Sequence, residues 1–154
     1  MQKFRSDDEV RISNEHMMGE LKFFLGLQIK QLAQGTVINQ AKYISDLLKW
    51  LDMTGSSSVK TPMTPNIPLH VDLSGNSVDQ TSYRAIIGSL LYLTASRSDI
   101  MYSTCIYARY QANPKESHLL AAKRILRNVK GTPSLGLWYP KDSGFELTTY
   151  TDSD

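Results

Sequence analysis

Residues 20–40 read "ELKFFLGLQIKQLAQGTVINQ". Phe23, Leu25, Leu27 and Ile29 alternate with Phe24, Gly26, Gln28 and Lys30, which is the period of a strand. A turn near Gln34-Gly35 and a return strand from Thr36-Val37-Ile38 complete the pattern of a β-hairpin. Gly26 inside such a strand predicts a bulge or the close approach of another backbone.

The stretches that follow change period. Asn39 stands where it can cap "QAKYISDLLKWLDM", whose Ile44, Leu47, Leu48 and Leu51 share one helical face, with Gly55 as the stop. Residues 55–80 hold three prolines, two glycines and five serines, so they read as a long connection. "TSYRAIIGSLLYLTAS", from Thr81, is the strongest helix, apolar over much of its circumference through Ile86, Ile87, Leu90, Leu91 and Leu93. Asp99 is the expected cap of "IMYSTCIYARYQ" and Ser117 that of "HLLAAKRILRNVK", which buries Leu119, Ala122, Ile125, Leu126 and Val129 and stops at Gly131. "LGLWY", a turn at "PKDSG" and the strand "FELTTYT" form a second hairpin. The order is hairpin, helix, connection, three helices, hairpin, an α+β arrangement.

Composition narrows the classes of function. The single cysteine, Cys105, excludes an internal disulfide, and it reads as a small core residue on the face of Met101 and Ala108. No apolar run reaches the roughly 18 residues that span a bilayer, so no membrane partner is expected. The start, "MQKFRSDDEVRIS", is too charged for a secretory signal, and an intracellular, reducing compartment is the expectation. The net charge of +2 is unevenly spread. Residues 84–130 carry eight basic residues against Asp99 and Glu116, while both flanks are net acidic. Such a segment suits a phosphate-bearing partner, or simply a solvated helical face.

Three groups of residues bear on chemistry. Arg84, Gly88 and Tyr92 fall at i, i+4 and i+8 on one stripe, offering donors, an absent side chain and a flat ring to a nucleic-acid groove. The same spacing also suits close helix packing at Gly88 with Tyr92 at the rim. Lys123, Arg124, Arg127 and Lys130 lie opposite an apolar face, as duplex-backbone contacts or as ordinary solvated cations. Asp152 and Asp154 point to one side of a strand end, too few for a Mg²⁺ site by themselves. "RSDDE" reads as a solvated charge run, and His16, His70 and His118 are dispersed beyond metal-ligand spacing.

The blocks "ELKFFLGLQIKQ", "QAKYISDLLKWLDM", "TPM", "YRAIIGSLLYLTASRSDIMYS", "RYQANPKESHLLAAKRILRNVKGTPSLGLWYP" and "YTDSD", in order over residues 17–154, resemble copia-type retrotransposon reverse transcriptases. One departure is Ser98, where the family reads Arg-Pro-Asp. The resemblance implies a polar segment 1–18, then the end of the palm over 19–54, whose hairpin around Phe24-Leu25-Gly26-Leu27 looks like the primer grip. A linker over 55–80 follows, then a thumb over 81–131 in which Arg84, Gly88 and Tyr92 face the template–primer duplex, RNA–DNA or DNA. Residues 132–154 then begin a ribonuclease H domain with Asp152 as its first metal carboxylate, Mg²⁺ being the family's cofactor. The polymerase signature Tyr-X-Asp-Asp is not in this sequence. The expectation is therefore a Pol polyprotein fragment with no cofactor or catalysis of its own, whose partners are a duplex and the remainder of the polyprotein. The alternatives are a protein-interaction module and a non-functional remnant.

Overall fold

The computed structural model describes residues 2–3, 21–64 and 72–141. Strands β1 (Gln2–Lys3), β2 (Leu21–Phe24), β3 (Leu27–Leu32), β4 (Gly35–Asn39) and β5 (Leu137–Pro140) form one sheet in the order β1-β5-β4-β3-β2, every pairing antiparallel. The helices are α1 (Ala41–Trp50), α2 (Gln80–Leu93), α3 (Met101–Ala108), entered through a 3₁₀ turn at Ser98–Ile100, and α4 (Glu116–Gly131). The α+β reading holds.

The opening stretch is two hairpins rather than one. Phe24 pairs with Leu27, and Leu25 and Gly26 between them both take positive φ, 50° and 79°. Two consecutive residues at positive φ make the tight turn whose twist suits a two-residue hairpin. Gly26 thus ends a strand instead of bulging within one. The second turn is Ala33-Gln34, and Gly35 already belongs to β4. β5, expected within a hairpin of its own, lies against β4, with Val37 opposite Trp138 and Ile38 opposite Leu137. The proposed partner strand "FELTTYT", Asp152, Asp154, "RSDDE", His16 and His70 lie outside the described residues.

One apolar core gathers Ile44, Leu47 and Leu48 of α1, Tyr83, Ile86, Ile87, Leu90 and Leu93 of α2, Ile100, Tyr107, and Ala122, Ile125, Leu126 and Val129 of α4. Burial of each large side chain contributes roughly 1.5–3 kcal/mol, which is what holds short helices that would be marginal alone. Leu91, expected on the apolar side of α2, faces out.

Helix ends depart from expectation for local reasons. Asn39 Oδ1 accepts from Ala41 N at 3.2 Å, so it serves the first turn of α1. α1 stops well before Gly55. Asp52 adopts φ 52° while its N–H reaches Lys49 O at 3.1 Å and that of Met53 reaches Leu48 O at 2.8 Å, a Schellman closure. Asp99 is not a cap. It sits in the 3₁₀ turn, where its carboxylate takes Arg97 Nε at 3.0 Å and Nη2 at 2.9 Å. Arg97 is 1% exposed, and a buried guanidinium requires such a partner. Its Nη1 also donates to Thr132 O at 2.7 Å, just past α4. Ser117 is not a cap either. α4 begins one residue earlier, where His118 Nδ1 accepts from Lys115 N at 3.1 Å, and Ser117 Oγ donates to Asp72 Oδ2 at 2.8 Å. Gly131 is the last helical residue, not the stop beyond it. Cys105 is exposed rather than in the core, because α3 turns Ser103, Thr104, Ile106 and Tyr107 inward.

Candidate nucleic-acid interface

α2 is capped by Asp79, whose Oδ2 accepts from Ser82 N at 2.7 Å. That backbone hydrogen bond, with the Ser82 hydroxyl second, holds the Asp79 carboxyl below the usual carboxylate range. Tyr83, Ile86, Ile87, Leu90 and Leu93 face the core, and the Tyr83 hydroxyl donates to Tyr107 O at 2.9 Å, fixing α2 against α3. Burial pushes the Tyr83 phenol far up, so it stays neutral.

With that face buried, Arg84, Gly88 and Tyr92 are turned outward, on a stripe shared with Leu91. A Cβ built on Gly88 would meet nothing within 4 Å. Close packing therefore does not explain this glycine: among the described residues nothing approaches it. A glycine inside an exposed helix costs about 1 kcal/mol relative to alanine.

Tyr92 lies two helical turns from Arg84 and is held by three other elements. Its hydroxyl donates to Leu25 O at 2.8 Å in the β2–β3 turn. Its ring meets Tyr43 of α1 edge-on, with centroids 4.7 Å apart. Its carbonyl accepts from Gln40 Nε2 at 3.3 Å, and Gln40 Oε1 accepts from Ser96 Oγ at 2.6 Å. Gln40 is fully buried at the junction of β4 and α1. Nothing in the sequence singled out Gln40, because its partners are 52 and 56 residues away.

The turn itself projects Phe24, 63% exposed, and Leu25, 78% exposed. A Cβ on Gly26 would lie 1.8 Å from the Tyr92 hydroxyl oxygen, so what approaches this glycine is a side chain of α2 and not the backbone that the sequence suggested. The two groups read separately from sequence, Phe24-Leu25-Gly26 and Arg84-Gly88-Tyr92, meet as one exposed surface at this hydrogen bond.

The cations of α4 are placed differently. Arg124 Nη2 donates to Thr61 Oγ1 at 3.0 Å and Arg127 Nε to Ser57 O at 2.9 Å. Lys130 Nζ donates to the carbonyls of Thr54 and Ser56. Asn128 Nδ2 adds a bond to Val59 O at 3.1 Å, and Val59 N returns one to Arg127 O at 3.3 Å. Residues 53–61 thus lie along this side of α4. The Lys123 side chain, by contrast, has no hydrogen bond or ion pair among the described residues. Arg97 and Lys115 are buried, so two of the eight cations counted over residues 84–130 point inward.

No three His, Cys, Asp or Glu side chains come together among the described residues. These residues therefore do not form a Mg²⁺ site. Among the described residues no helix is long and apolar enough to cross a membrane.

Comparison with known proteins gives relatives over most of the chain. It is 39% identical over 135 residues, 88% of its length, to the retrovirus-related Pol polyprotein from transposon RE1 of Arabidopsis thaliana. It is 38% identical over 138 residues to the Pol polyprotein from transposon RE2 of the same plant. It is 34% identical over 140 residues to an uncharacterized mitochondrial protein of Arabidopsis thaliana, 57% of whose length is covered. The chain spans 9% of the length of each of the two Pol polyproteins. No protein-family model matches the chain. No solved structure matches it.

Proposed function

We propose, from the premise that this chain is homologous to a segment of the retrovirus-related Pol polyproteins of transposons, that it binds a nucleic-acid duplex without reading sequence. Phe24, Leu25 and Gly26 act as the primer grip, and Arg84, Gly88 and Tyr92 as the thumb track of a reverse transcriptase. The duplex is an RNA–DNA or DNA template–primer. Arg84 meets phosphate, Gly88 lets the sugar edge come close, and the Leu25 and Phe24 side chains lie against the duplex from the turn. Catalysis in the longer polyprotein falls to carboxylates supplied outside the described residues.

One observation carries this reading. Gly88 sits in mid-helix with open space over its α-carbon, between Arg84 and Tyr92 on an outward stripe that continues into an exposed apolar turn. A partner that needs contact with backbone accounts for a glycine that nothing among the described residues requires.

Fluorescence anisotropy of the 154-residue chain with a labelled RNA–DNA hybrid tests the proposal. The expected result is micromolar binding that is indifferent to sequence. Its log–log salt slope should be about −1 to −3, near −0.9 for each phosphate neutralised. Arg84→Gln should weaken binding to all sequences alike and make the slope shallower by about 1. Absence of binding at low salt, or a slope near zero, refutes it.

A second reading has its own observation. Phe23 and Phe24 on the edge strand β2 are both largely exposed, and an apolar strand edge invites a protein partner. On this reading the remainder of the Pol polyprotein covers β2. Light scattering after size exclusion separates the two. Association through β2 should disappear in Phe23→Ser, while duplex binding without association favours the first reading.

A further inference from the structure

The Tyr92 hydroxyl is already engaged with the chain itself, and this changes the part Tyr92 plays. We infer that Tyr92 is a positioning residue, a latch that locks the β2–β3 turn to α2 so that both halves of the surface are presented as one rigid body. The inference rests on the duplex-binding reading for its purpose, but the latch is measurable apart from it.

The geometry is specific. A two-residue turn at the edge of a sheet has few packing contacts and is ordinarily among the first places to open. Here Leu25, with φ 50°, directs its carbonyl at Tyr92, and the hydroxyl donates to it at 2.8 Å. The hydroxyl can reach because Gly26 has no side chain: its Cβ would stand 1.8 Å from that oxygen and 3.1 Å from Cζ. Gly26 thus meets two demands at once, a φ of 79° and an empty space that the hydroxyl fills. At the other end of the contact Tyr92 is itself fixed. Tyr43 holds the ring edge-on, and buried Gln40 holds the Tyr92 carbonyl while taking a hydrogen bond from Ser96. The turn is therefore referenced, through one phenol, to α1, α2 and the end of β4. Leu25 and Phe24 are exposed side chains on a backbone that this contact holds still.

Tyr92→Phe keeps the ring against Tyr43 and removes only the donor. The decisive test is a double-mutant cycle with Gly26→Ala, read by urea unfolding and by ¹⁵N relaxation of residues 24–27. The positive φ strains alanine in either background, so that part cancels. The collision with the hydroxyl exists only when Tyr92 is present. Gly26→Ala should therefore lower the folding equilibrium constant about fivefold more in the parent chain than in the Tyr92→Phe background, a fold-change on the scale of one hydrogen bond. Order parameters of Leu25 and Gly26 should fall from about 0.85 to below about 0.6 in Tyr92→Phe. A residue that merely adds stability would not loosen this turn selectively. Additive effects, or an unchanged turn in Tyr92→Phe, overturn the inference.

Duplex affinity separates the two levels. Tyr92→Phe should weaken binding about fivefold with the salt slope unaltered, whereas Arg84→Gln changes the slope and leaves the turn ordered. A coupled cycle in a chain that binds no duplex supports the latch and removes the duplex reading. Duplex binding with an additive cycle does the reverse.

Discussion

Gly88→Ala should make the protein more stable and a worse binder, and the two effects can be measured on one sample. An alanine Cβ at this position would meet nothing within 4 Å, so no clash opposes the gain in helix propensity. That gain is about 1 kcal/mol for glycine replaced by alanine in an exposed helix interior. For a chain of this size it corresponds to a rise in Tm of roughly 2–4 °C. In urea the midpoint should rise with the slope m unchanged, because no buried surface is altered. Binding should move the other way. A methyl group at the point of closest approach holds a duplex off and forfeits part of the contact made by Arg84 one turn away. About tenfold weaker affinity, or about 1.4 kcal/mol, is the expected loss. Stability and affinity thus diverge in sign. A variant that is stabilised and binds the hybrid as tightly as the parent shows that Gly88 touches no ligand, and the reading of this face fails. A destabilised variant shows that the helix surface around Gly88 is not open.

Three further outcomes are expected. Lys130→Met should cost about 1.5–3 kcal/mol in urea unfolding, since an ammonium bonded to loop carbonyls is lost, and the Val59 amide should exchange faster as residues 53–61 lift from α4. Asp99→Ala should be the more damaging, about 3–5 kcal/mol, because Arg97 stays buried without its carboxylate, and Arg97→Met combined with it should recover part of that loss. Asp79 sets a pH dependence. Its folded pKa is depressed by the Ser82 backbone bond, so its contribution is present above the unfolded value near 3.9 and is lost as pH falls through the folded value. Acid titration of α2 helicity followed by circular dichroism should show this, and Asp79→Ala should flatten that part of the curve.

Periodicity carried most of the architecture. Ile44, Leu47, Leu48, Ile86, Ile87, Leu90 and Leu93 appear in the core as read, Leu91 alone of the α2 set turning outward, because a helical face is a property of spacing. Gly26 was legible as a special position but neither as a turn nor as the seat of a side chain, since alternation through Phe23, Leu25 and Leu27 continues across it. Caps were less legible. Asp99 and Ser117 have the right side chains in the right places, yet buried Arg97 and Asp72 claim them. The stripe Arg84-Gly88-Tyr92 was visible as spacing, whereas its junction with the turn was not, because Tyr92 and Leu25 are 67 residues apart. The α4 cations look alike in sequence. Only the path of the chain over residues 53–61 distinguishes Lys123 from Arg127 and Lys130.

The placement of β5 beside β4 has a consequence for how the chain is made. Ile38 and Leu137 become neighbours only when a segment of roughly a hundred residues, including the four described helices, has been closed into a loop. Such a pairing forms late, and a nascent polypeptide carries β4 with a bare edge until its last helix has left the ribosome. Synthesis stopped anywhere before Leu137 leaves that edge, with Val37 and Ile38 on it, open to other chains. Premature termination in this gene segment should accordingly yield aggregates, not soluble partial products.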